Sequence, residues 1–170
     1  MSKAALQAEF IRLLSTQQKL IHGLCSLYFP LAEDRKDLFQ EIVLQLWKAY
    51  PSFKGESKVS TWIYRIALNT VFTRIRKERS CPKSESISEK VWEIPNPEEL
   101  DGLDEATQAL YQGIRQLGEL DRAIIMLYLD ENSYDEIATL LELSKTNVST
   151  RINRIKIKLE KLLTPRIQWI

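Results

Sequence analysis

Apolar residues recur at spacings of three and four through most of the chain, and one stretch interrupts this pattern. The stretch runs from Ser80 to Asp104 and contains three prolines, several serines and a run of acidic residues. The spacing predicts amphipathic helices, and the interrupting composition predicts a linker. Strict alternation of apolar and polar residues, typical of half-buried strands, is missing from the sequence. We therefore predict an all-α fold with two small helical domains, 1–80 and 105–170, joined by an acidic linker over 81–104.

Prolines and a polar loop divide the N-terminal block into three predicted helices. Pro30 and Pro51 disfavour helical geometry in the residues before them, so each marks the end of a helix. The polar, glycine-containing segment from Ser52 to Lys58 predicts a loop before the third helix. The predicted helices span about Leu6 to Phe29, Asp34 to Tyr50 and Ser60 to Lys77.

The C-terminal block predicts two helices followed by a helix-turn-helix. The first two patterns cover about Glu105 to Leu117 and Asp121 to Tyr128. The segment Ser133 to Glu136 has the residues of a capping box, which predicts the start of a further helix. After a short break at Glu142 and Leu143, Ser144 is a good N-cap for a last helix. Such closely spaced helices are typical of DNA-binding proteins.

The last predicted helix has one apolar stripe and an opposite polar face. The stripe consists of Val148, Ile152, Ile155, Leu159 and Leu162. The opposite face has hydrogen-bonding side chains suited to base edges in the major groove, namely Thr146, Asn147, Ser149, Thr150, Asn153 and Arg154. Three basic residues on the flanks suit phosphate contacts, namely Arg151, Lys156 and Lys158. Ile157 also points away from the stripe, without an assigned role. The alternative is a basic helix pair with a merely solvated polar face.

The net charge of only +1 conceals strongly segregated charges. The segment from Lys54 to Arg79 has seven basic and two acidic residues, and Lys145 to Lys161 has six basic residues and one acidic. Between them, Glu85 to Glu105 has eight acidic residues and one lysine. Two basic surfaces are therefore compatible with a nearly neutral total, and nucleic-acid binding is not excluded.

The second predicted helix is apolar on two faces. Leu38, Ile42 and Leu46 form one stripe, and a second stripe contains Phe39, Val43, Trp47 and Tyr50. The first stripe suits a core. The second is either core as well or part of a protein interface of mixed polarity, because acidic and amide side chains border it.

Aromatic and basic residues interleave after Pro51. They include Phe53, Lys54, Lys58, Trp62, Tyr64, Arg65, Asn69, Phe72, Arg74 and Arg76. This composition suits single-stranded DNA, whose bases stack on aromatic rings while basic groups follow its backbone. The alternative is that Trp62 and Phe72 are core residues. The loop from Ser52 to Lys58 is the better candidate for strand contact because its backbone is accessible.

Several function classes are not indicated. The chain has no phosphate-binding loop, catalytic triad or metal-ligand cluster, so we expect neither an enzyme nor a cofactor. Cys25 and Cys81 are far apart and predict reduced thiols rather than a disulfide or a zinc site. His22, the only histidine, is interpreted as a structural or surface residue. Neither a secretory signal nor a run of about 20 apolar residues is present, which predicts no membrane insertion and a cytoplasmic location.

These segments together resemble an extracytoplasmic-function (ECF) sigma factor of bacteria. The resemblance lies in the residues from Asp37 to Trp47, Phe53 to Ser57, Thr61 to Thr70, and Ser144 to Lys156. It spans both predicted domains and leaves the linker uncovered. The resemblance implies a region 2 domain followed by a region 4 domain, with a linker that threads through RNA polymerase.

The resemblance also implies partners and contact residues. The second helix would dock on the β′ clamp helices of core RNA polymerase through Asp37, Gln40, Glu41, Leu44 and Trp47. The following segment would recognise and melt the minus-ten promoter element, with a flipped base in a pocket lined by Phe53, Ile66 and Asn69. Further contacts there would come from Lys54, Lys58, Trp62 and Arg65. The last helix would recognise the duplex minus-thirty-five element, and region 4 would contact the β flap. An anti-sigma factor or another regulator is an expected further partner.

Two rival functions are considered, and the first of them would use the same helix-turn-helix. A stand-alone transcriptional regulator would not need a docking helix, and a DNA-processing enzyme such as a recombinase would need residues that the chain does not offer. Many relatives have a glycine and a basic residue where this chain has Thr146 and Ser149. The resemblance therefore implies no particular promoter sequence.

Overall fold

The computed structural model describes residues 2–80, 102 and 104–163. These residues form seven α-helices and one 3-10 turn, and no strand occurs among them. The chain divides into two compact units, Met1–Ile87 and Ser88–Ile170. The predicted all-α fold of two helical domains is confirmed. The predicted linker over 81–104 lies outside the described residues, apart from Gly102 and Asp104, and its boundaries stay a prediction.

Three helices form the N-terminal domain. They are α1 (Lys3–Tyr28), α2 (Ala32–Ala49) and α3 (Val59–Ser80), with the 3-10 turn Tyr50–Ser52 after α2. The predicted bounds differ from these by at most three residues. The helix α1 begins earlier than predicted because Ser2 caps it, with its Oγ accepting from the Ala5 N–H at 3.2 Å.

The first stripe of α2 forms the centre of this domain. Leu38, Ile42 and Leu46 are fully buried, and α2 packs on both α1 and α3. The neighbouring helices contribute other fully buried side chains, among them Ile21 and Leu24 of α1 and Ile63 and Val71 of α3. Each buried aliphatic side chain contributes roughly 1.5–3 kcal/mol, so this stripe fixes how the three helices pack.

The turn between α1 and α2 is held by arginine side chains of α2 and α3. An Nη1 of Arg35 donates to the Pro30 carbonyl at 2.6 Å, and the Arg74 guanidinium of α3 lies 5.1 Å from the centre of the Phe29 ring. Arg74 also pairs with Asp34 at 3.6 Å. These contacts hold the start of α2, which precedes its predicted docking residues, against α3.

Four helices form the C-terminal domain. They are α4 (Glu105–Arg115), α5 (Glu119–Leu129), α6 (Tyr134–Leu141) and α7 (Lys145–Leu163). Asp104 caps α4: its Oδ1 accepts from the Thr107 N–H at 2.7 Å, and this bond lowers the pKa of the Asp104 carboxyl. The pattern that predicted a helix up to Leu117 ends at Arg115, and α5 begins two residues before the predicted Asp121.

The predicted apolar stripe of α7 forms the core of this domain. Val148, Ile152, Ile155 and Leu159 are buried, and Leu162 at the end of the helix is half-buried. The helix packs on α4, α5 and α6. At Gly113 a Cβ would lie 3.1 Å from Cδ2 of Leu159, so the glycine permits the close approach of α4 to α7. Among the described helices, none is long and apolar enough to cross a membrane.

Candidate nucleic-acid interfaces

The helix-turn-helix forms as its local sequence predicts. Ser133 Oγ accepts from the Glu136 N–H at 3.1 Å, and Glu136 Oε2 accepts from the Ser133 N–H at 2.8 Å, which completes the capping box. The turn contains Glu142 in the left-handed conformation, with φ 57° and ψ 43°. Ser144 then caps α7 by accepting from the Asn147 N–H at 3.1 Å. Both predicted caps are present, so α7 is placed directly after a tight turn.

The polar face of α7 lies opposite its buried stripe. Seven of the nine predicted upstream DNA residues are exposed, namely Thr146, Asn147, Thr150, Asn153, Arg154, Lys156 and Lys158. Ser149 and Arg151 are half-buried at the edge of this face. The nine residues therefore lie on one helix, outside its packed stripe. Ile157 is also exposed, at 54%, and no described contact accounts for it.

Arg151 makes two contacts within the domain. Its Nε donates to Asn147 Oδ1 at 2.9 Å, one turn earlier on α7. Its Nη1 donates to Asp121 Oδ1 at 2.9 Å, which joins α7 to the first turn of α5. Asp121 lies 30 residues before Arg151, and no local spacing in the sequence links the two residues, so their contact is not predictable from the sequence.

Lys156 also contacts α5. Its Nζ donates to the Tyr128 hydroxyl at 2.9 Å and lies 4.6 Å from the centre of that ring. The hydrogen bond to Tyr128 raises the pKa of Lys156. Tyr128 was likewise not predicted as part of the site, since only the packing of α5 on α7 brings the two side chains together.

In the N-terminal domain, α2 and α3 enclose a groove of about 390 Å³. Two residues predicted for the minus-ten element, Ile66 and Asn69, line it, and so does Glu41 of the predicted docking set. Phe53 is not among the lining residues. Among the residues that the structure describes, the lining consists of Glu41, Gln45, Ala49, Ile66, Asn69, Thr70, Thr73 and Lys77.

Phe53 belongs instead to a row of aromatic rings. It lies 4.6 Å from Trp62 between ring centres, and Trp62 lies 6.3 Å from Tyr50. Tyr50 and Trp47 both pack on Phe10 of α1, at 5.3 Å and 5.1 Å. Trp62 therefore packs on other rings of the domain, as expected of a core residue, but its side chain is only half-buried.

The aromatic side chains of the second apolar stripe of α2 pack against other rings within the domain. Phe39 stacks on His22 with ring centres 4.2 Å apart, and Trp47 and Tyr50 contact Phe10. Phe72 of α3 is also half-buried and meets Tyr28 edge-on at 6.0 Å. The large apolar side chain that α2 leaves exposed is Leu44, at 49%. It lies on the strip that includes Asp37, Gln40 and Glu41, because residues three and four apart share a helix face.

The loop before α3 is accessible, as predicted. Lys54 and Lys58 are exposed, and Arg65 is exposed on the second turn of α3. Gly55 has a φ of 72°, which glycine adopts without steric cost, so it permits the sharp bend of this loop. The loop thus exposes two cations in the segment between Phe53 and Trp62.

Comparison with known proteins identifies both domains. Residues 13–81 match the Sigma-70 region 2 family, and residues 107–159 match the Sigma-70 region 4 family. The ECF RNA polymerase sigma-E factor of Escherichia coli (strain K12) is 31% identical over 173 residues, covering 95% of this chain and 90% of the relative. The chain belongs to the ECF family of RNA polymerase sigma factors.

A second relative and two solved structures are also similar to this chain. The RNA polymerase sigma-H factor of Pseudomonas aeruginosa is 30% identical over 166 residues, covering 91% of this chain and 86% of the relative. The sigma factor RpoE, solved in complex with the anti-sigma factor NepR from Bartonella quintana, has the same fold. Its TM-score is 0.71 at 20% identity, and the match covers 94% of this chain and 99% of that one. CnrH, solved with the cytosolic domain of CnrY, has a TM-score of 0.60 at 21% identity, with 95% and 91% covered.

Membership in this family decides between the functions that the sequence left open. As an ECF sigma factor, the chain directs RNA polymerase to promoters, and a stand-alone regulator is not favoured. Sigma factors are initiation factors without catalytic activity of their own.

Proposed function

We propose that this sigma factor divides promoter recognition between its domains. The N-terminal domain docks on core polymerase and holds the opened minus-ten element, and α7 recognises the duplex minus-thirty-five element. One observation carries the proposal: α7 buries four of the five residues of its apolar stripe against three helices and leaves a polar and basic face exposed. A polar, hydrogen-bonding helix face next to a tight turn suits the major groove.

Docking is proposed for the exposed strip of α2. Asp37, Gln40 and Leu44 are exposed on this strip, and Glu41 is half-buried beside them. An exposed leucine among acidic and amide groups suits the β′ clamp helices as a mixed interface with one apolar anchor. Trp47 is the last member of the predicted set, and its ring is shared between this surface and Phe10.

Strand capture is proposed for the groove and the loop before α3. Asn69 is exposed at the groove edge and offers both a donor and an acceptor to the Watson–Crick edge of an extruded base, with Ile66 beside it as an apolar wall. Phe53 and Trp62 provide rings for stacking, and Lys54, Lys58 and Arg65 provide cations for the strand backbone. We retain Phe53 as a stacking residue rather than as a wall of the groove.

Duplex contact is proposed for α7. Thr146, Asn147, Ser149, Thr150, Asn153 and Arg154 face the base edges, while Lys156 and Lys158 contact phosphates. Region 4 also contacts the β flap in this proposal. The chain needs no cofactor, acts in the cytoplasm with the polymerase, and is held inactive by an anti-sigma factor or a comparable regulator.

The docking proposal is tested with Leu44→Asp. Leu44 is 49% exposed, so the change leaves the core intact and places a charge on the proposed anchor. We expect affinity for purified core polymerase to fall about tenfold or more, as for a truncated interface anchor, and run-off transcription to fall with it. Ile11→Asp is the matched control, because Ile11 is an equally apolar side chain, 52% exposed, on α1.

Glu41→Lys gives an independent measurement of the same surface. It reverses a charge at the groove edge, and weaker binding to core polymerase is expected again. Wild-type affinity in both Leu44→Asp and Glu41→Lys would show that α2 is not the docking element.

A further inference from the structure

The side chain of Arg151 is engaged in a way that a simple phosphate contact does not require. Both of its described bonds are 2.9 Å long, one from Nε to Asn147 and one from Nη1 to Asp121. The Asp121–Arg151 pair is about two-thirds buried, with 28% of the arginine and 32% of the aspartate side chain exposed. Because the bond between the two helices is short and the pair is largely buried, the guanidinium is held in place more firmly than in an exposed ion pair.

The bond from Arg151 determines how the Asn147 amide is oriented. A guanidinium nitrogen can only donate, so the amide oxygen of Asn147 must face it. The Nδ2 group of Asn147 is then turned away from Arg151, on an exposed residue of the predicted base-reading face. Asparagine contacts adenine in bidentate fashion by using both its oxygen and its nitrogen. With one lone pair of the oxygen engaged and the oxygen turned toward Arg151, the group that Asn147 directs away from the pair is the Nδ2 donor.

We propose that Asp121 and Arg151 are positioning residues that orient Asn147 to donate from Nδ2 to an acceptor on a major-groove base edge. The acceptors available there are N7 and O6 of guanine, N7 of adenine and O4 of thymine. Asp121 itself does not touch DNA; it fixes the guanidinium, and the guanidinium fixes the amide. The inference rests on the proposed recognition of the minus-thirty-five element by α7. It adds that the Nδ2 group of Asn147 determines the base preference at one base pair.

The ion pair with Asp121 also makes Arg151 a weaker candidate for a phosphate contact. Arg151 already has a carboxylate partner that offsets its charge, so it attracts a phosphate less strongly than a cation without such a partner. Lys158 is exposed on the same helix and offers its ammonium group to a phosphate. Positioning by Arg151 and phosphate contact by the lysines are therefore separate tasks on one helix.

The test uses the full chain with core polymerase and a set of promoters in which each base pair of the upstream element is substituted in turn. Relative affinities are measured by competition. We expect Asn147→Ala to reduce the preference at one base pair about fivefold or more. Asp121→Ala should reduce it at the same base pair by about threefold or more, because the amide regains rotational freedom. The double variant Asp121→Ala with Asn147→Ala should lose no more there than Asn147→Ala alone.

Two further variants separate positioning from charge and folding. Asp121→Asn keeps an acceptor oxygen for Arg151 and should retain more of the preference than Asp121→Ala. Asp135→Ala removes a carboxylate that pairs with Lys145 at 3.3 Å in the same domain, and it should leave the base preferences unchanged.

Three results would overturn the inference, each in a distinct way. If Arg151→Ala weakens binding to all sequences equally and lowers the slope of log affinity against log salt by about 0.9, Arg151 is a phosphate contact. If Asp121→Ala leaves the preference at the Asn147 position intact, the ion pair does not position Asn147. If the wild-type chain shows no preference anywhere in the upstream element, the proposed function of α7 fails as well.

Discussion

Single side chains on α7 differ in what their surroundings allow them to do. Asn147, Arg151 and Lys156 all lie on or beside the exposed face, yet the last two are held by residues of α5. Arg154 and Lys158 are exposed farther along the same face. Residue type and helical position predicted which side chains leave the core, but the partners on α5 determine how those side chains are oriented.

Lys156→Ala is expected to weaken binding to every duplex promoter by the same factor. The bond to Tyr128 raises the pKa of Lys156 above the ordinary lysine value of 10.5, so its charge is constant around neutral pH. Loss of one phosphate contact should lower the slope of log affinity against log salt by about 0.9. Lys161→Ala removes an equal charge from the last turn of α7 and should change the slope less. A change in base preference with Lys156→Ala would instead indicate a base contact.

Whole helices depend mainly on their local sequence. Ser2, Asp104 and Ser133 cap three helices as their residue types favour, and prolines follow α1 and α2 at the expected places. Two turns differ, because a glutamate has a positive φ in each: Glu131 between α5 and α6, and Glu142 between α6 and α7. Glu142 adopts a left-handed conformation that glycine or asparagine usually supplies, so this turn includes local strain.

Glu142→Gly is expected to stabilise the C-terminal domain by about 0.5–1 kcal/mol, because glycine has no Cβ to oppose a positive φ. Urea unfolding followed by circular dichroism measures the change. Glu142→Ala is the control: it removes the same charge, keeps a Cβ, and should bring no gain. An equal gain in both variants would trace the effect to charge rather than to the backbone.

Over the whole molecule, opposed charged segments add up to a net charge of only +1. The exposed cations that we assign to DNA lie in two places, on the loop and helix after α2 and along α7. The docking strip of α2 has acidic and amide groups instead. The proposed surfaces therefore differ in charge according to their partner. The acidic strip of α2 is assigned to the polymerase, and the two basic surfaces are assigned to DNA.

This division predicts different responses to a promoter that is already open. Asn69→Ala should reduce run-off transcription from a duplex promoter about fivefold, with less opening detected by permanganate footprinting, because one hydrogen-bonding contact to the extruded base is lost. A template with a mismatched minus-ten region should restore its activity, since the cost of unpairing is removed. Arg154→Ala should stay impaired on that template. Unchanged opening with Asn69→Ala would contradict the strand-capture proposal.

The sequence by itself determined the helices, their caps and the buried stripe of α7, because helical periodicity and capping depend on residues within a few positions of one another. Its prediction of two helical domains, and of the sigma family, is confirmed for the same reason: the deciding motifs are local segments. The sequence did not reveal that Phe53 packs against Trp62 in a tilted arrangement and is not among the residues that line the groove with Asn69, or that Phe10 contacts Trp47. It also gave no sign that Asp121 holds Arg151 across 30 residues. Only the packing of one helix on another brings such side chains together, so only the tertiary structure decided which predicted contact residues are already engaged.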